Sequence, residues 1–154
     1  KRLLKDGYEV VSLDNYSTGK KENEQEGCRY FDVDLSKVNN SKSDIGLCSN
    51  KKIFETGTSN LLFIKDNKVY SPANKFYNGI TLKFIKTKIR KIIKKDISIE
   101  TLKTYDEIIL IGSGKGVTSV KTIDQIKWKR KSLKFYKILS KHYQSAINNC
   151  PSYK

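Results

Sequence analysis

The sequence predicts a mixed α/β (α+β) fold, and three observations support it. Short apolar runs within 61–65 and 107–111 are bounded by turn residues, the pattern of strands, the second of them buried. Apolar residues three and four apart, at Leu82, Ile85 and Ile89 and again at Leu133, Tyr136, Leu139, Tyr143 and Ile147, mark amphipathic helices. Asp66-Asn67 between two β-patterned segments is a hairpin signal.

In chain order, residues 1–6 read as the end of a helix, with Gly7 suited to its stop. Residues 8–13 form a strand ending in Asp14. A polar loop follows, and a second strand over 29–33 ends in Asp34. Residues 38–44 carry Asn, Ser and Lys without apolar rhythm, the signature of a linker or junction. Strands are expected over 45–48 and 52–54 around a Ser49-Asn50 turn, and over 61–65 and 68–70 around Asp66-Asn67. Pro72 ends that pair. Leu82, Ile85, Ile89, Ile92 and Ile93 predict one helix over 80–95. A short helix over 98–105, a strand over 107–111, a tight loop Gly112-Ser113-Gly114-Lys115-Gly116, a strand over 117–123 and a helix over 132–148 complete the order, with Pro151 as the stop.

The chain has 154 residues, enough for one ordinary core. Its net charge of +15, from 31 basic and 16 acidic residues, raises nucleic-acid binding as a function class. The lysines, however, are spread along the chain rather than gathered in one arm, so a small basic nucleic-acid-binding module is kept only as a third alternative. No apolar run approaches membrane-spanning length. Cys28, Cys48 and Cys150 are an odd set without paired spacing, as expected of reduced thiols in a cytoplasmic protein. A lone histidine, His142, and three scattered cysteines predict no metal site. Trp128, beside Lys127, Lys129 and Arg130, is expected to pack under the last helix, with stacking on a base as the alternative.

The order Asp6-Gly7-Tyr8-Glu9-Val10-Val11-Ser12-Leu13-Asp14-Asn15-Tyr16-Ser17-Thr18-Gly19 resembles NAD-dependent nucleotide-sugar epimerases and dehydratases of the extended short-chain dehydrogenase family. The resemblance implies a partial Rossmann-like β-α-β piece over 1–38, in which Asp14, Asn15 and Ser17 flank the adenosine ribose and Asp34 and Leu35 the adenine of NAD. The Gly-rich phosphate turn and the Tyr-x-x-x-Lys residues of that family have no counterpart here.

A second resemblance covers residues 44–149. Three blocks in order, Glu55-Thr56-Gly57-Thr58-Ser59-Asn60, Asn78-Gly79-Ile80-Thr81 and Asp106 through Val120, resemble the C-terminal half of class IV aminotransferases. These are fold-type-IV pyridoxal phosphate (PLP) enzymes that include branched-chain and D-amino-acid aminotransferases and aminodeoxychorismate lyase. The resemblance divides the chain into 1–38, a linker or junction at 39–43, a fold-type-IV domain at 44–149 and a tail at 150–154. It implies that Glu55 faces the PLP ring nitrogen, where a carboxylate favours the protonated ring. Gly79, Ile80 and Thr81 would hold the phosphate at a helix start. Ser113 and Gly114 would touch the phosphate and receive the substrate carboxylate, with Thr58 and Ser59 lining the pocket. An amino acid or amino-chorismate substrate and a homodimer are implied as well.

In that family a lysine some thirty residues before the Glu bonds covalently to PLP. Here the spacing falls on Lys20 and Lys21, which lack the surrounding pattern, so no catalytic residue is assigned. The chain is expected to be a truncated or composite form without transaminase activity. Lys115 is expected to be a solvated loop lysine.

Overall fold

A computed structural model describes residues 2–7, 10–14, 20–32 and 43–150. The chain divides into two compact units, Lys1–Ile45 and Gly46–Lys154. The first holds a short helix, α1 (Arg2–Lys5), and two strands, β1 (Val10–Asp14) and β2 (Cys28–Asp32), with a 3-10 turn at Lys21–Asn23. The strands pair in parallel, from Val10 opposite Cys28 to Asp14 opposite Asp32. Gly7, at φ 80°, closes α1 through its N–H to Leu4 O at 3.1 Å, a conformation other residues seldom adopt.

The second unit is built on one eight-stranded sheet. Its strands are β3 (Gly46–Ser49), β4 (Lys52–Thr56), β5 (Asn60–Lys65), β6 (Lys68–Ser71), β7 (Ile92–Lys94), β8 (Ile97–Ser98), β9 (Glu107–Gly112) and β10 (Gly116–Ser119). At its centre β5 and β9 run antiparallel, from Asn60 opposite Ile111 to Ile64 opposite Glu107. Their apolar runs alternate between faces. Leu61, Phe63, Ile108 and Leu110 join Ile53, Ile97, Leu102, Tyr105 and Trp128 in one core. Leu62, Ile64, Ile109 and Ile111 join Val69, Leu82, Ile85, Val117 and Leu139 in the other. A period of two inside an unbroken apolar run is what a strand covered on both faces requires.

Two short hairpins frame this centre. Asp66 and Asn67 join β5 to β6 at φ 51° and 56°, and Asn50 and Lys51 join β3 to β4 at φ 48° and 60°. Both central residues at positive φ match the twist of antiparallel strands, which is why Asn and Asp serve there. The β3–β4 turn lies one residue later than Ser49-Asn50.

The expected helix over 80–95 is corrected. Helix α2 covers Ile80–Lys86 only, and Ile92–Lys94 is β7, parallel to β6 with Val69 opposite Ile92. Thr87 turns the chain out of the helix, its hydroxyl donating to Phe84 O at 2.8 Å. Leu82, Ile85, Ile89 and Ile92 do share one core, so the spacing reported burial. The β-branched Ile92-Ile93 pair takes the extended form that such side chains favour.

The helix expected over 98–105 is a 3-10 helix, Ile99–Thr104, whose start is capped by Ser98 Oγ accepting from Glu100 N–H at 3.2 Å. The strand expected over 117–123 is broken into β10 and β11 (Thr122–Ile123), the latter paired with β12 (Trp128–Lys129). Trp128 is buried with Tyr105, Leu102 and Phe63, on the face opposite the last helix, and its indole N–H donates to Tyr105 O at 3.0 Å. It is therefore neither a stacking platform nor packed under that helix. His142 and Cys48 are exposed, and no disulfide joins Cys28, Cys48 or Cys150. Among the described residues no helix is long and apolar enough to cross a membrane.

The last helix, α3 (Lys134–Asn148), is tied to the sheet by a buried carboxylate. Glu107, at 0% exposure, accepts from Ser132 Oγ at 2.9 Å, Phe135 N at 3.0 Å and Tyr136 N at 2.9 Å. The first amides of a helix have no helical acceptor, and a carboxylate there also faces the positive end of the dipole. Replacing Glu107 with Gln halves the acceptor capacity at a buried cap. Urea unfolding of Glu107→Gln should show a loss of about 2–3 kcal/mol; an unchanged midpoint would remove this anchor.

Candidate functional site

The hairpin between β4 and β5 is organised by one hydroxyl. Thr56 Oγ1 accepts from Ser59 N–H at 2.9 Å and donates to Ser59 O at 3.1 Å, while Thr56 N–H donates to the same carbonyl at 2.8 Å. Thr56, Ser59 and Asn60 are all buried, so these bonds form away from competing water. The tight turn leaves Thr58 exposed, with its hydroxyl 3.3 Å from Ser59 Oγ.

Asn60 is where three segments meet. Its backbone pairs with Glu55 on β4 and with Ile111 on β9. Its side-chain amide donates to Tyr77 O, and Tyr77 N–H donates to Glu55 Oε2 at 3.0 Å. One peptide segment is thus gripped from both ends by the β4–β5 hairpin. Gly79 follows, and a Cβ there would stand 3.1 Å from Asn60 Oδ1. Gly79 is the N-cap of α2, without a side-chain cap. The amides of Ile80 and Thr81 open the helix without helical acceptors. Thr81 is buried at its base, and its hydroxyl bonds to no described residue.

The loop between β9 and β10 closes the third side. Gly112 and Gly116 are paired at its ends. A Cβ on Gly112 would meet Thr58 O at 2.7 Å and Ser59 Oγ at 2.9 Å. At Gly116, φ 63°, it would meet the Tyr143 ring at 2.7 Å. Thr118 Oγ1 donates to Lys115 O at 2.8 Å and braces the turn. Ser113 and Gly114 are exposed at its tip and Lys115 is half-buried.

Glu55, Thr58, Ser59, Gly79, Ile80, Thr81, Ser113 and Gly114 therefore all lie on three abutting segments of the second unit. Asn60 and Tyr77 join these segments; the sequence marks Asn60 only as the end of the 55–60 block and Tyr77 not at all. Their contact spans seventeen positions and leaves no local signal. Lys20 and Lys21 belong to the first unit. Asp14 ends β1, while Asn15, Ser17, Asp34 and Leu35 lie outside the described residues. A separate surface cleft of about 160 Å³ is lined by Ser49, Asn50, Lys52, Phe54, Asn74, Lys75 and Asp96 and includes none of the candidate residues. Among the described residues no cluster of His, Cys, Asp or Glu could hold a metal ion.

The residue-level test of this packing compares two glycines of one loop. Gly112→Ala should cost about 1–3 kcal/mol, because backbone must shift. Gly114→Ala, with nothing within 4 Å of the added carbon, should stay within about 0.5 kcal/mol of the parent. Denaturant midpoints that fail to separate the two would contradict the described contact.

A model of the family described as amino-transferase class IV matches residues 35–123, more than half of the chain. No curated protein matches. Among similar solved structures is the branched-chain aminotransferase of the thermophilic archaeon Thermoproteus uzoniensis with norvaline, at 19% identity and TM-score 0.58 over 66% of this chain and 35% of that one. A Brucella abortus aminotransferase bound to PLP aligns at 21% identity and TM-score 0.57, over 72% and 42%. A Legionella pneumophila protein assigned as a 4-amino-4-deoxychorismate lyase aligns at 17% and 0.59, over 73% and 47%. The chain spans less than half the length of each. At these identities the likeness shows the fold, that of fold-type-IV PLP enzymes. No comparison supports the NAD-epimerase reading of residues 1–38.

Proposed function

The chain belongs to the class IV aminotransferase family, and on that footing we propose that its second unit binds the ring and phosphate of PLP for a reaction at the amine of an amino-acid-like substrate. The observation that carries this reading is the junction at Asn60, which pairs with Glu55 and with Ile111, just before the Ser113-Gly114 loop, and holds the 77–79 segment that leads into Ile80 and Thr81.

The residues fit the group. Gly79 and Gly112 are glycines where a Cβ would fill the space between segments. The half-buried Glu55 carboxylate is held through Oε2 by Tyr77 N–H, and Oε1 has no partner among the described residues. When bound, PLP supplies an electron sink for charge developing at the carbon beside the substrate amine. Glu55 would hold a proton on the ring nitrogen, since a neighbouring carboxylate favours the cationic ring. The amides of Ile80 and Thr81 and the Thr81 hydroxyl would donate to the phosphate. The Ser113 hydroxyl and the Gly114 amide would serve the phosphate edge and the substrate carboxylate, with Thr58 and Ser59 on the adjoining wall. No lysine of this chain is assigned the covalent role. The similar structures include aminotransferases and a lyase, so the class proposed is the amine chemistry common to both.

Pyridoxamine 5'-phosphate is the suitable probe, because it lacks the aldehyde that would condense with the chain's many lysines. Fluorescence titration should give saturable binding. Glu55→Gln should weaken pyridoxamine 5'-phosphate and phosphate-free pyridoxamine alike, each about tenfold, the value of one charge-assisted bond. Unsaturable uptake, or equal affinity in Glu55→Gln, would overturn the assignment.

A further inference from the structure

We propose that Lys86 is a positioning residue for the phosphate end of this site, acting through Asn78; the inference rests on the PLP reading above. Lys86 stands in the last turn of α2, yet its Nζ donates to Asn78 Oδ1 at 3.0 Å, eight residues back. Long side chains on a helix lean toward its N-terminus, so the ammonium runs back along the helix toward the 77–79 segment. On the way it lies 5.8 Å from the Phe76 ring centroid. Asn78 sits between Tyr77, gripped by Glu55 and Asn60, and Gly79, which opens the phosphate turn. Lys86 therefore adds a third hold on that short segment.

The charge is placed against the local field. A cation is favoured at a helix C-terminus, and this one is drawn away from it. Burial, and then the nearby Lys94 and Lys83 ammonium groups, pull its pKa below the usual lysine range. Among the described residues no carboxylate forms an ion pair with Lys83, Lys86 or Lys94. Lys86 is thus an ammonium group without a described counter-ion, bonded to the residue that precedes the phosphate turn and raised in potential by two further lysines, which suits a doubly charged phosphate monoester.

The test uses the full chain and two ligands, pyridoxamine 5'-phosphate and pyridoxamine. Lys86→Met keeps the apolar stem over Phe76 and removes the charge; Lys86→Arg keeps both charge and donor. At low salt Lys86→Met should weaken the phosphorylated ligand about three- to tenfold, leave pyridoxamine unchanged, and lose its effect as salt is raised. Lys86→Arg should bind like the parent, and melting temperatures should agree across all three. Equal weakening of both ligands, or none, would overturn the inference. If Glu55→Gln responds and Lys86→Met does not, only the role of Lys86 falls. If the parent binds neither ligand, the cofactor reading falls and this inference with it.

Discussion

The Glu107 carboxylate is the constraint on which the second unit turns. It is fully withdrawn from water and has three donors, all from the segment that starts α3. Leaving this buried carboxylate without partners is costly, so the closure of β9 favours the formation of the start of α3. Once α3 is fixed, Leu139 is buried in the core that holds Ile109, Ile111 and Val117. Tyr143 then lies on Gly116, at the base of the 113–115 loop. The position of the candidate site is thus set by a charge outside its own residues.

The sheet divides labour between its two faces. One core is closed by the 3-10 helix and the β11–β12 ribbon, with Tyr105 packed against Phe63 and Tyr70 at ring separations of 5.3 and 5.9 Å. The other is closed by α2 and α3. The candidate segments gather where β5 begins and β9 ends, an end shared by both cores. The functional turns therefore have packed structure on each side. Burial of the four-residue runs on β5 and β9 contributes about 1.5–3 kcal/mol per side chain, which supports glycine-rich turns that contribute little themselves.

Much of this was legible in the chain, for identifiable reasons. Strands buried on both faces write themselves as unbroken apolar runs, and Leu61–Ile64 and Ile108–Ile111 did so. Asp66-Asn67 announced its turn because few residues tolerate positive φ twice in succession. The ordered blocks at 55–60, 78–81 and 106–120 carried the family resemblance. The segment after Thr87 misled because isoleucines three and four apart suit either a helix face or, as Ile92-Ile93, a strand, and sheet pairing decided. Glu107 carries no local signal beyond its place at the start of a strand, since its donors lie twenty-five to twenty-nine positions away. Asn60 and Lys86 were opaque in the same way: their significance lies in what they touch, and touching is decided by the fold. The dinucleotide reading of the first unit rested mostly on loop residues, and parallel pairing of β1 with β2 is all that the described residues add to it.

The β9–β10 loop is clamped at both feet. Gly112 is pressed against Thr58 and Ser59, Gly116 against Tyr143, and neither contact leaves room for a side chain. Between them Ser113 and Gly114 are exposed and Lys115 only half-buried. Such a loop separates inheritance from innovation. Its glycine feet are fixed by packing, whereas the exposed Ser113 and Gly114 stand clear of the sheet, with open space around Gly114. A lineage could therefore explore new chemistry at this wall of the pocket one residue at a time, with foldability held constant.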